Sequence, residues 1–148
     1  MASPDCFQAV PSTPWPKRRL RLVHISILDL GSNSFQWLVA ETDGRRVQTR
    51  YQCKRHVRLA SSMEHGALSA EGLARALEAV SELSSNLPAL WRPLPVVAVA
   101  TGAIRQSSNG GQLLRAIEVA TGIGVQSTSA GGSARCARRA CWSSAPGS

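Results

Sequence analysis

The sequence predicts an α/β fold that opens with a three-stranded antiparallel meander and adds two main helices. Three observations carry that prediction. Asp43-Gly44 lies between two strand-like runs, which is a strong short-range hairpin signal. Leu73, Ala76, Leu77, Val80 and Leu83 recur at helical spacing. Val96-Val97-Ala98-Val99-Ala100 is short, apolar and rich in β-branched residues, as a buried strand is.

In chain order, the segment from Met1 to about Arg21 contains Pro4, Pro11, Pro14 and Pro16 without periodicity and reads as a flexible extension. Ile25 to Leu28 is expected as a first strand, ending at the turn residues Asp29-Leu30-Gly31-Ser32-Asn33-Ser34. Phe35 to Glu41 and about Arg46 to Cys53 complete the meander. Ser69 is placed to cap a helix running to Leu87, with Glu71 in the first turn where the helix dipole favours an acid. Pro88 and Pro93 close that segment. After the 96–100 strand, a second helix is expected from about Gly111 to Ala120, with Asn109 as its cap and Gly122 as its stop. A last short strand falls near Val125 to Thr128. The following Ala/Arg/Ser/Gly/Cys-rich stretch has no period and is not expected to pack.

At 148 residues the chain is one domain or a little more, and 43% apolar against 18% charged residues suffices for a core. No apolar run is long enough to span a bilayer. Aromatics at 5% argue against a base-stacking nucleic-acid binder. The net charge of +8 sits largely in the flanks: residues 1–24 carry four basic side chains against one acid, and 125–148 carry three with none. The 25–124 segment holds ten basic and eight acidic residues. Cys6, Cys53, Cys136 and Cys141 match no zinc pattern, and no secretory leader is recognisable, so free thiols in the cytoplasm are expected.

The first turn has chemical content. Gly31 lets backbone approach a ligand without a Cβ in the way. The amides and hydroxyls of Ser32, Asn33 and Ser34 can hold phosphate oxygens. Asp29 can bind Mg²⁺, an ion that keeps several waters and takes one or two carboxylates. The same residues also fit a tight turn in which Asp29 accepts from backbone amides, and taken alone they fit both.

Ile27-Leu28-Asp29-Leu30-Gly31-Ser32-Asn33-Ser34-Phe35 resembles the first phosphate-binding loop of the exopolyphosphatase/guanosine-pentaphosphate phosphatase family. Lys54-Arg55-His56-Val57-Arg58-Leu59-Ala60 is similar to its basic strand end, and Leu68-Ser69-Ala70-Glu71-Gly72 to the start of its first long helix. Ala100-Thr101-Gly102-Ala103-Ile104-Arg105-Gln106-Ser107 with Asn109-Gly110 is similar to its strand-plus-arginine loop. The resemblance covers about residues 25–124. It implies an actin-like ATPase (ribonuclease H-like) lobe with a mixed sheet, one of two lobes facing a cleft. It implies removal of terminal phosphate from polyphosphate or pppGpp with Mg²⁺. Asp29 would then hold the metal, Gly31, Ser32, Asn33 and Ser34 the phosphate, and Arg105 would contact and neutralise it. Lys54, Arg55 and Arg58 form either a lip attracting the anionic chain or a solvated strand end.

The sequence departs from this family after the second helix. The family's acidic segment, whose glutamate serves the attacking water, corresponds to about Ser127 to Arg135, which contains no Asp or Glu, and no second glycine-rich phosphate loop follows. A missing general base removes on the order of 10²–10⁴-fold in rate. The expectation is a truncated N-terminal lobe, inactive or very slow alone, with residues 125–148 an irregular basic tail whose composition is that of GC-rich codons read out of frame. Such a lobe is expected to pair with itself or a missing C-terminal lobe, through surface that includes Trp37, Trp91 and Trp142. Neither a membrane nor a specific nucleic acid is expected as partner. Two alternatives remain: a nucleotide-binding fragment of another actin-like ATPase, and a non-enzymatic basic module that binds polyanions through its flanks.

Overall fold

A computed structural model describes residues 5–7 and 22–127. The basic run Lys17–Arg21 and the tail from residue 128 on, with Cys136, Cys141 and Trp142, lie outside the described residues, as does nearly all of the 127–135 stretch. Strands β1 (Asp5–Phe7), β2 (Val23–Leu30), β3 (Ser34–Thr42), β4 (Val47–His56), β7 (Val96–Ala100) and β8 (Val125–Ser127) form one sheet in the order β1-β4-β3-β2-β7-β8. The strands β2, β7 and β8 run parallel, and the other pairings are antiparallel. The α/β class, the mixed sheet and the opening meander are as expected from the sequence.

The meander closes where the Asp-Gly signal lies. Gly44 has φ +86°, and the Asp43 carboxylate accepts from the amides of Arg45 and Arg46 at 2.8 and 2.7 Å. These amides, Arg46's foremost, hold the Asp43 carboxyl below its usual range. Between β3 and β4 the register slips after Val39, and the Arg50 guanidinium pairs with the buried Glu41 carboxylate.

Helix α1 (Ala70–Asn86) begins at Ser69, whose Oγ accepts from Gly72 N at 3.1 Å. Gly72, Ala76, Ala79, Val80 and Leu83 are buried, while Leu73 and Leu77 flank the stripe, half-buried. A short helix, α2 (Gly102–Gln106), follows β7, and α3 (Gly110–Thr121) ends at Gly122 in the left-handed region. Leu113 and Ile117 on α3 join Leu28, Leu30, Ala98 and Ala100 of the central strands in the core. The other sheet face carries no helix among the described residues, and Val23, Ile25 and Val97 lie exposed on it. No described helix is long and apolar enough to cross a membrane.

Several expectations are corrected. Residues 5–7 are not loose extension: they pair with the outer edge of β4, which would otherwise leave a row of unpaired backbone groups. Cys53 is not a free thiol but disulfide-bonded and fully buried, with Cys6 opposite it in the strand register. Trp37 is not exposed apolar surface: it is 2% exposed, and its indole N–H donates to the buried Ser26 Oγ at 2.9 Å. Trp91 is half-buried against the core.

The residues between β4 and α1 form a single 3-10 turn (Leu59–Ser62) and a two-stranded hairpin, β5 (Met63–Glu64) and β6 (Ala67–Leu68). Its turn residues His65 and Gly66 both have positive φ, 48° and 79°, as the favoured two-residue hairpin turn requires. Asn109 stands at the N-cap of α3 but its side chain does not cap it. Its amide instead brackets Leu68, accepting from Leu68 N at 2.8 Å and donating to Leu68 O at 2.9 Å. Asn109→Ala strands both groups of a buried residue and is expected to cost about 1–3 kcal/mol. A lower urea midpoint with unchanged slope would register that loss.

Candidate phosphate-binding site

The loop between β2 and β3 lies at the C-terminal ends of the parallel strands β2 and β7, the place where open α/β sheets bind ligands. Three sets of contacts hold it. Gly31 N donates to Ser34 O at 3.2 Å, and a Cβ on Gly31 would come within 2.9 Å of that oxygen, so the turn is tight enough to require glycine. The Asn33 carbonyl accepts from Val57 N and Arg58 N at 2.9 and 3.0 Å, and Ser32 O accepts from Ala60 N at 3.1 Å. On the other side, Ala103 N donates to Ser32 Oγ at 2.8 Å, and Thr101 N donates to Leu30 O at 3.1 Å. The loop is thus fixed to the end of β4 and to the start of α2.

The groups left over suit an oxyanion and a hard cation. Asp29 is exposed on the helix-free face and its carboxylate has no partner among the described residues. The amides of Ser32 and Asn33 likewise have none, and the Asn33 side chain is exposed. No cluster of three or more His, Cys, Asp or Glu side chains occurs among the described residues. A cation at Asp29 would therefore complete its shell with ligand oxygens and water, which suits Mg²⁺ and does not suit zinc.

The remaining sequence-predicted residues divide. Lys54 shares the face of Asp29: Asp29 stands opposite Gln36, and Gln36 opposite Lys54. Arg58 adjoins the loop through its backbone, in the left-handed region at φ 49°, with its carbonyl accepting from Ser61 Oγ at 2.8 Å. A non-glycine residue held there is strained, and the double contact to Asn33 is what holds it. Arg105 is exposed in the last turn of α2, the helix whose first turn grips Ser32. Arg55 points to the helix side instead, where its guanidinium pairs with Glu82 of α1 at 2.8 Å. The alternation of side chains along β4 separates Arg55 from Lys54 in this way. Gly102 and Ala103 are the site residues that sequence reasoning did not single out. Their signal was present in the Thr101-Gly102-Ala103 step straight after a parallel strand.

A cavity of about 620 Å³ opens elsewhere, at the N-terminal end of β7 between the C-terminal ends of α1 and α3, lined by Trp37, Leu87, Arg92 and Ile123 among others. None of its lining belongs to the loop, and its only charged side chain among the described residues, Arg92, is committed to the carbonyls of Leu87 and Ser85. The chemistry described above therefore concerns the loop and not this cavity.

No family model matches the chain. Solved structures do. The Aquifex aeolicus member of the Ppx/GppA family is 22% identical with a TM-score of 0.64, covering 72% of this chain and 35% of that one. An exopolyphosphatase from Cytophaga hutchinsonii is 26% identical with a TM-score of 0.63, over 71% of this chain and 34% of that one. An exopolyphosphatase-like protein is 23% identical with a TM-score of 0.65, over 73% and 33%. The chain spans about a third of the length of each. It has the fold of the Ppx/GppA exopolyphosphatase family over about 72% of its length.

Proposed function

We propose that this chain supplies the first phosphate- and metal-binding lobe of an exopolyphosphatase-type phosphoanhydride hydrolase, with inorganic polyphosphate or pppGpp as substrate. The observation that carries the reading is the unpartnered, exposed Asp29 carboxylate beside a loop pinned from both sides with two unpaired amides. Asp29 would hold Mg²⁺, which when bound neutralises phosphoryl charge. The Ser32 and Asn33 amides orient the terminal phosphoryl oxygens, and Lys54 and Arg58 attract the anionic chain toward the strand ends. Arg105, carried on α2, neutralises charge that builds up on the transferred group. Phosphate release by this chain alone is expected to be very slow, because Ser127 to Arg135 offers no carboxylate to deprotonate water.

The test titrates long-chain polyphosphate into the chain with and without Mg²⁺, beside an Asp29→Ala variant. The expected result is Mg²⁺-dependent binding that weakens at least tenfold, about 1.4 kcal/mol, in the variant. Binding that ignores both Mg²⁺ and Asp29, and collapses with added salt, would overturn the reading in favour of a basic polyanion binder.

A further inference from the structure

We infer that Gly102 and the Ala103 amide are positioning groups that aim the Ser32 hydroxyl proton out of the loop, as a hydrogen-bond donor to a bound phosphoryl oxygen. This rests on the loop being a phosphate site, and adds which side chain donates and what orients it. A serine hydroxyl has one proton and two acceptor positions. Ser32 Oγ uses an acceptor position for Ala103 N, at 2.8 Å. Its proton has no acceptor among the described residues, and Ser32 is half-buried, so the oxygen is held while the proton remains to be given.

Gly102 makes that approach sterically feasible. Its φ is +53°, and a Cβ there would lie 1.8 Å from Ser32 Oγ and 3.2 Å from Ser32 Cβ. With a side chain at position 102, Ser32 Oγ must therefore leave the place where it accepts from Ala103 N. Because Arg105 follows within the same short helix, a backbone shift at Gly102 would also move the arginine relative to the loop.

The experiment is a double-mutant cycle in the full chain: Ser32→Ala, Gly102→Ala, and both together. Thermal midpoints are measured without ligand, and affinities are measured for inorganic tripolyphosphate with Mg²⁺ at a temperature where every variant is folded. Gly102→Ala is expected to lower the midpoint by more beside Ser32, whose hydroxyl also loses the bond from Ala103 N, than beside Ala at position 32, where left-handed strain alone costs about 4–8 °C. Each single variant is expected to lose about tenfold or more in affinity, with the double variant no weaker than Ser32→Ala. A purely structural Ser32 would move the midpoint and leave the affinity of the folded chain unchanged.

Equal midpoint losses in the two backgrounds would overturn the coupling of Gly102 to Ser32. Unchanged tripolyphosphate affinity in Ser32→Ala, with Asp29→Ala still damaging, would overturn the donor role and leave the phosphate site standing. If the unaltered chain binds no tripolyphosphate, the phosphate reading itself fails and the donor role with it, while the ligand-free midpoints still report on the steric coupling.

Discussion

Replacing Trp37 by alanine is expected to lower the stability of the fold by about 3–5 kcal/mol from lost burial alone. The indole is 2% exposed, in the middle of β3, opposite Leu28 on one side and Cys53 on the other. It also forms part of the wall of the cavity at the N-terminal end of β7. Truncation would extend that cavity into the core and admit water beside the sheet. The hydroxyl of Ser26, 0% exposed, would lose its donor in the same change, at a further cost of about 1 kcal/mol. A domain of this size has about 5–15 kcal/mol in all, so the thermal midpoint should fall by roughly 15–25 °C. Trp37→Phe keeps most of the ring and should recover most of the loss, separating packing from the hydrogen bond. A loss under about 1 kcal/mol for Trp37→Ala would contradict the packing described for β3.

Gly110→Ala is expected to be nearly as damaging, by about 3 kcal/mol or more. A Cβ at this position would stand 2.0 Å from the carbonyl oxygen of Ile104, with Ser107 Oγ at 2.8 Å. The obstacle is backbone rather than the end of a flexible side chain, so relief requires α2 and α3 to separate. Ile104 is 2% exposed and packs in the core, which resists that separation. Arg105 belongs to the displaced helix, so affinity for tripolyphosphate should fall along with the midpoint. By contrast, a Cβ on the neighbouring Gly111 meets nothing within 4 Å. Gly111→Ala should be neutral or slightly stabilising, and urea unfolding of the pair provides the comparison.

The elements that were legible in the sequence are those whose signals are local. Asp43-Gly44 marks its hairpin, Ser69 caps α1, and Gly122 stops α3, each through contacts within a few residues. The strands β2 to β4, β7 and the two main helices could therefore be read with boundaries off by a few residues. What escaped depends on distant partners. The β5–β6 hairpin is held by Asn109 and by Ser108 N donating to Gly66 O, from more than forty residues away. That long-range demand also explains why Asn109 does not cap its own helix. β1 exists only as an addition to the edge of β4, and three residues carry too little pattern to announce it. At the site, Asp29, Gly31 and Ser32 could be picked out by residue type, whereas the commitment of Arg55 to Glu82 depends on how α1 docks.

The parallel pairing of β2 with β7 has a kinetic consequence. The meander from β2 to β4 joins neighbours in sequence and can form early, because it closes only short loops. The clasp between Ser32 and Ala103 spans 71 residues and has to wait until α1 has folded and β7 has docked. In a growing or refolding chain the tip of the first hairpin would exist as a bare turn well before it acquires its working shape. Competence to hold a phosphoryl group should therefore appear in the last kinetic phase, behind most of the secondary structure.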